Sequence, residues 1–300
     1  MRFFCLLIFF LVAAGCHGAE DGIAAKSGGA SPPAKKLFAA FAKAAWPALD
    51  PSSPFWEKAR ETVIALLPQD VTEPRLLEKG AESLRLCALH NGAEIAFRLE
   101  WADVSPDGIT SASGRSDACA IELPATGGNG PLPDSMMGEK GKPVHIVYWR
   151  FASQERLEGK PHGVAALYPN AWIDHYPFEA ARDEAARAEM ETRYAPARAA
   201  KNPVATERDR RAVEDLLAEG FGTLAPAPEQ TSSGRGVHEG GRWRVVISRP
   251  LDFAANARTQ LRPGTNGFVA VAVWDGSKGH AGGKKMRSIW VPMEIEGEKP

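Results

Sequence analysis

The stretch "LRLCALHNGAEIAFRLEW", Leu84 to Trp101, decides the fold. Leu84, Leu86 and Ala88 alternate on its first arm, and Ile95, Phe97, Leu99 and Trp101 alternate on its second. A period of two puts every second side chain on one face, which marks a half-buried strand. Between the arms stands Asn91-Gly92, a dipeptide that suits the tight turn of a hairpin. The stretch therefore predicts two antiparallel strands that share one apolar face.

Further strands are predicted on both sides. "DACAIELP" (117–124), "PVHIVYWR" (143–150) and "VAALYP" (164–169) have the required length and β-branched content. "GRWRVVISRPL" (241–251) alternates Trp243, Val245 and Ile247 with Arg242 and Arg244. "GFVAVAVW" (267–274) is apolar on both faces, as a central strand packed on two sides would be, and "RSIWVPMEIE" (287–296) closes the set. Two segments read differently. "KKLFAAFAKAAW" (35–46) predicts a short helix. "FEAARDEAARAEMETRYAPARAA" and "TERDRRAVEDLLAEGFG" are rich in Ala, Glu and Arg and predict a helical insertion around residues 178–220, ended by Gly220. The expected fold is a mainly β, antiparallel β-sandwich carrying that insertion.

The amino terminus is of another kind. Arg2 precedes "FFCLLIFFLVAAG", which is short for a membrane span and has the pattern of an export signal. "LVAAGC" resembles a bacterial lipoprotein signal, with residues 1–15 removed and Cys16 lipidated; a plain secretory signal cut near Ala19 is the alternative. Residues 16–36 read as a flexible tether of Ala, Gly, Ser and Pro, and 37–300 as the folded domain. Export places the domain in the periplasm, anchored to the membrane if Cys16 carries lipid. Cys87 and Cys119 then meet an oxidising compartment, where they form a disulfide or remain two buried thiols.

A formal net charge of −1 with interspersed Lys and Arg argues against nucleic acid as a partner. GxSxG, P-loop, HExxH, CxxCH and CxxC patterns are all missing from the sequence, so nothing marks an enzyme, a covalent haem or a zinc site. His145, in "PVHIVYW", reads as a satisfied strand histidine. Two loops keep chemical interest. "PLPDSMMGEKGKPVHIVYWR" holds Met136 and Met137, and "VWDGSKGHAGGKKMRSIW" holds Lys284 and Lys285 in a glycine-rich loop. A thioether is a soft neutral ligand, and a lysine amine ligates once deprotonated.

The order of "NGAEIAFRLEWAD", "SDACAIELP", "PDSMMGEKGKPVHIVYWR", "GRWRVVISRPL" and "VAVWDGSKGHAGGKKMRSIW" resembles the haem b-binding gamma subunit of type II dimethyl sulfoxide reductase-like molybdoenzymes. That family includes the subunits of ethylbenzene and dimethyl sulfide dehydrogenases and of selenate and chlorate reductases. "PFWEKARETVIALLPQDVTEPR" is similar to its opening region, and "NPVATERDRRAVEDLLAEGFGTL" to an insertion in part of it. The resemblance implies one haem b (iron protoporphyrin IX) held by a methionine and a lysine. These map to Met137, with Met136 as alternative, and to Lys285, with Lys284 as alternative; His145 or His280 is a further substitute. Trp149, Phe268 and Trp274 are candidate walls. Arg150 and Arg287 are candidate partners of the haem propionates, or ordinary surface arginines. The implied role is electron relay, without substrate chemistry. Its partners are iron–sulfur and molybdopterin subunits of such a complex, and a soluble cytochrome c. The competing reading is a carbohydrate-binding-like lipoprotein without haem, using Trp46, Trp56 and Trp172.

Overall fold

Strands β4 (Ser83–His90) and β5 (Glu94–Ala102) pair antiparallel, with His90 opposite Ile95 and Leu86 opposite Leu99. The turn sits one residue later than Asn91-Gly92 suggests. Asn91 N donates to Glu94 O at 3.1 Å, so Gly92 and Ala93 form the corner. The Asn91 Oδ1 accepts from Ala93 N at 2.9 Å and Glu94 N at 2.7 Å, while Gly92 takes the positive φ of 93°. A side-chain acceptor beside a left-handed glycine is the chemistry that closes such turns.

The computed structural model describes residues 36–42, 49–108, 114–125, 131–160, 167–170, 184–186, 189, 193, 211–252 and 261–298. Before the hairpin come β1 (Leu37–Phe41), β2 (Thr62–Ala65) and β3 (Leu67–Pro68). After it come β6 (Ala118–Pro124), β7 (Val144–Arg150), helix α1 (Phe151–Leu157), β8 (Val213–Ala218) and β9 (Ala225–Pro226). The chain continues through β10 (Ser233–His238), β11 (Arg242–Pro250), β12 (Asn266–Trp274), β13 (Met286–Arg287) and β14 (Val291–Ile295).

The hydrogen-bonded order is β10-β11-β5-β4-β1-β14-β12-β6-β7-β8-β9. Strand β12 serves both halves: Asn266 to Val269 pair with β14, and Ala270 to Trp274 pair with β6. The halves close on one another. Trp149 of β7 meets Trp243 of β11 edge-on at 5.1 Å between ring centroids, although several strands separate them in the order. Phe97, Leu99, Ile121, Val147, Trp149, Trp243, Val245 and Ile247 are all buried in the interior between the halves. Burying such a side chain stabilises by about 1.5–3 kcal/mol, so this two-layer core holds the fold. Helix α1 seals one end. Its Gln154 accepts from Trp149 Nε1 at 3.0 Å and Gly236 N at 2.7 Å, and donates to Gly236 O at 2.9 Å.

Two expectations are corrected. Leu37–Phe41 is a strand, where a helix was expected, and it runs parallel to both β14 and β4. One parallel strand therefore interrupts an otherwise antiparallel sandwich. It fills a two-sided gap, so its backbone groups find partners on both flanks, and that outweighs the helix preference of its alanines. Val213–Ala218 is strand β8, not a helix ended by Gly220. Pairing with β7, together with the buried Asp215, overrides the local propensity of "AVEDLLA". Within the rest of the expected insertion, residues 184–186, 189 and 193 are helical; its remainder and most of "VAALYP" lie outside the described residues. The signal and the tether up to residue 35 lie outside them too. No described helix is long and apolar enough to cross a membrane. Cys87 and Cys119 are free, buried thiols in separate clusters, with Cys119 facing the sandwich interior and Cys87 packing by Trp56.

Candidate functional site

Strand alternation gives the β6–β7–β8–β12 layer a second apolar face. Cys119, Ile121, Val147 and Trp149 point into the sandwich, so Ala118, Ala120, Val144, Ile146, Leu216 and Trp274 point outward. They are nevertheless buried, because loops fold over them. Between face and loops lies a cleft of about 390 Å³, within the range of small-molecule and cofactor sites. Ile146, Tyr148, Leu216, Leu224, Pro226 and Trp274 line it. So do Met137 and Lys285, from two loops far apart in sequence.

The methionine loop joins β6 to β7. Met137 has a φ of 75°, the only described residue other than glycine with a positive value. That conformation costs roughly 1–3 kcal/mol and tends to mark functional positions. It is held by its surroundings. Gly220 N donates to Met137 O at 2.8 Å, and Gly138 N donates to Asp134 O at 2.9 Å. At Gly138 a Cβ would fall 2.8 Å from Lys142 O and 3.1 Å from Ala218 O, so a side chain there would force the loop off β8.

The lysine loop joins β12 to β13. Trp274 Nε1 donates to Gly282 O at 3.0 Å and so folds the glycines back over the strand end. Lys285 is 8% exposed, and its Nζ stands 5.4 Å from the centre of the Trp274 indole. The amine makes no hydrogen bond or ion pair with any described residue. Burial pushes its pKa below the ordinary lysine range, opposed by the nearby Glu122 and assisted by Arg287. Burial likewise pushes Glu122 up to about 8, against the attraction of Lys285 and the approach of the Met137 amide N–H. Both shifts favour the neutral form, because a low-dielectric site disfavours either charge. Behind this pair lies a chamber of about 20 Å³ lined by Glu122, Ser135, Lys285 and Arg287, with room for one water.

Of the expected site residues, Met137, Lys285 and Trp274 meet at the cleft. Met136 and Lys284 do not line it; Met136 N is tied to Asp134 Oδ1 at 3.0 Å, and Lys284 is exposed. Neither arginine lines it. Arg150 donates to Ser153 Oγ from Nε at 3.1 Å and from Nη2 at 3.0 Å, and Arg287 faces the water-sized chamber with its Nε unpartnered. Trp149 belongs to the sandwich interior, and Phe268 is outside the cleft lining, so of the three expected walls only Trp274 serves. His145 is fully buried between Asp215 and Arg249, and His280 Nδ1 accepts from Asp275 N at 3.2 Å; neither reaches the cleft. Trp56 is 2% exposed and offers no flat platform for a sugar, while Trp46 and Trp172 lie outside the described residues.

Residues that the sequence did not mark include Ile146, Leu216 and Tyr148 on the cleft floor, and Glu122 and Gln69 around the lysine. Strand alternation carried the floor: once His145 and Trp149 face inward, Ile146 and Tyr148 must face outward. The available signal for Glu122 is a charge inside the apolar run "DACAIELP". Four carboxylates, of Asp103, Asp107, Asp117 and Asp275, also gather within 4.8 Å of one another. Asp117 accepts there from Gly276 N at 2.7 Å and Trp243 Nε1 at 3.0 Å, which ties the end of β12 to β11.

The chain is similar to several known proteins. The family described as ethylbenzene dehydrogenase matches residues 53–286, a span that holds both loops. The chlorate reductase subunit gamma of Ideonella dechloratans is 25% identical over 93% of this chain and 91% of its own length. A Haloferax mediterranei protein, provisionally named respiratory nitrate reductase heme subunit, is 24% identical over 80% of this chain and 66% of its own length. Among solved structures, a family 9 carbohydrate-binding module of Caldicellulosiruptor kristjanssonii in complex with glucose is 8% identical, with a TM-score of 0.41 over 88% of this chain and 97% of its own.

Proposed function

The chain belongs to the ethylbenzene dehydrogenase family, and from that premise we propose that it is an electron-transfer subunit, not an enzyme, which holds one haem b in the cleft. The observation that carries this reading is the convergence of a thioether and a buried, unpaired amine on one apolar cleft. The donor set fits the group. Iron in haem accepts a methionine sulfur, and an amine ligates only after losing its proton. Burial has already moved Lys285 in that direction. An amine with no hydrogen-bond acceptor is costly to keep in an apolar site unless something else takes it.

Haem, when bound, supplies reversible one-electron exchange at its iron. The protein supplies the rest. Met137 and Lys285 would hold the iron from opposite loops. Ile146, Leu216 and Trp274 keep water from the ligands and lower the local dielectric, one of the means by which a protein sets a haem potential. The strained backbone at Met137 holds the sulfur's loop in one conformation before any ligand arrives. We place the subunit in the periplasm, lipid-anchored at Cys16. Iron–sulfur and molybdopterin subunits of a type II dimethyl sulfoxide reductase-like complex lie on one side of the relay, and a soluble cytochrome c on the other. The gamma-subunit and heme-subunit names of the two relatives support membership of an oxidoreductase complex.

The test is an absorption spectrum of the full chain purified from a haem-replete host. A Soret band with sharp α and β bands on reduction is expected. Lys285→Ala and Met137→Ala should each lose that spectrum, and Lys284→Ala and Met136→Ala should keep it. Colourless protein that takes up no porphyrin would overturn the proposal. Cys16→Ser should release the protein from membranes, and retention on them would refute the anchor.

A further inference from the structure

Gln69 follows the two-residue β3 and is 1% exposed. Its amide uses both ends. Nε2 reaches Thr72 O at 2.9 Å, Gly283 O at 3.0 Å and Pro74 O at 3.4 Å. Oε1 accepts from Val71 N at 2.8 Å and Thr72 N at 3.0 Å. Its backbone N donates to Lys285 O at 2.9 Å, and its O accepts from Leu76 N at 2.6 Å. One residue thus holds the chain at Gly283 and again at Lys285, and ties both to the loop 69–76. Thr72, Pro74, Gly283 and Lys285 all line the cleft, so the clamp forms part of its wall.

The two loops also approach too closely for a side chain between them. A Cβ on Gly283 would lie 2.9 Å from Pro74 O and 3.3 Å from Gln69 Nε2. Lysine has a long flexible stem, and its amine finds one target reproducibly only if the backbone beneath it is fixed. A buried plug needed only for packing would be apolar. A primary amide with every polar atom engaged is instead a device for holding geometry.

We propose that Gln69 is the positioning residue for Lys285: by pinning the backbone at residues 283 and 285 it fixes the reach of the amine into the cleft. This rests on the reading of Lys285 as a haem ligand. Outer partners of metal ligands typically account for about 10- to 100-fold in metal affinity. A clamp on one axial ligand should therefore show as increased access for a competing ligand.

The experiment titrates the haem-loaded full chain with azide and follows the ferric spectrum. The variants are Gln69→Leu, Gln69→Glu, which keeps the acceptor and loses the donors, and Gly283→Ala, which keeps Gln69 but crowds Pro74 O and Gln69 Nε2 and so forces the loops apart. Each is expected to retain haem, gain a high-spin component and bind azide about 10- to 100-fold more tightly than wild type. Ile121→Val in the sandwich interior serves as the control that lowers stability alone. Should Gln69→Leu fail to fold, the other two variants carry the comparison. Wild-type spectra and azide affinity in the variants would overturn the clamp and leave the haem reading standing. An equal shift in Ile121→Val would reduce the effect to general loosening and also overturn it. Colourless wild-type protein would bring down the haem reading, and this inference with it.

Discussion

The β6–β7 layer has a buried polar cluster on each face, and the two differ in how densely their groups are hydrogen-bonded to one another. On the inner face, His145 Nδ1 accepts from Arg249 Nη1 at 3.1 Å. Its Nε2–H therefore donates to Asp215 Oδ1 at 3.1 Å, which fixes the neutral tautomer. Asp215 also accepts from the Ser232 hydroxyl, and from Thr231 N and Ser232 N at 2.8 Å each. This network joins β7, β8 and β11 across the sandwich. On the outer face, Lys285 has no hydrogen bond, and Glu122 Oε1 and Arg287 Nε are without partners. Buried polar groups in native proteins are mostly hydrogen-bonded, so the densely bonded inner cluster explains itself as structure. The sparsely bonded cluster borders the cleft, where a ligand could take the Lys285 amine. The difference separates scaffold from site more sharply than residue type does, since a histidine would have been the conventional guess for an iron ligand.

The largest expected effect breaks the inner network. Asp215→Ala removes the acceptor of the His145, Thr231 and Ser232 bonds and one of the two carboxylates that face Arg249, and should cost about 3–5 kcal/mol in urea unfolding. A loss under about 1 kcal/mol would erase the contrast between the faces. On the outer face the same kind of change should act in the opposite direction. Lys285→Met in haem-free protein removes a buried amine that lacks a hydrogen bond and should raise the unfolding free energy by roughly 1 kcal/mol, seen as a higher urea midpoint at constant slope. Destabilisation there would mean that the amine has a structural partner in solution.

The smallest effect sharpens the comparison by pH. Burial, together with Arg249, holds His145 below the ordinary histidine value of 6.5, despite the opposing Asp215 bond. As pH falls below 6.5 the unfolded chain takes up a proton that the folded one refuses, so stability is full above that value and declines below it. Hydrogen bonds from His145 and Ser232 hold Asp215 below 3.8 despite its burial, and its contribution is lost in turn as pH falls further. Unfolding free energies at pH 7.5, 5.5 and 4 check this. His145→Gln should flatten the first step, and an unchanged slope would show that the histidine is not the group responsible.

Much of the sandwich was legible because a strand with one buried face writes its period directly into the residue order. The hairpin at Leu84–Trp101, β6, β7, β11 and β12 follow that rule. β1 and β8 were not legible, because helix-forming residues were drawn into a ladder by neighbours distant in sequence. The paired choices at the site were equally closed to inspection. The resemblance ranked Met137 and Lys285 ahead of Met136 and Lys284 but left both pairs open, and among these four only Met137 and Lys285 line the cleft.

By itself, then, the residue order determined the alternation of the strands, the glycine loops and the chemical kinds of donor they carry, since these depend on local sterics and composition. Which donor enters the cleft was decided only when loops about 150 residues apart were brought over one sheet face. Adjacent side chains diverge from their backbone, and only long-range packing determines which of the two is turned inward.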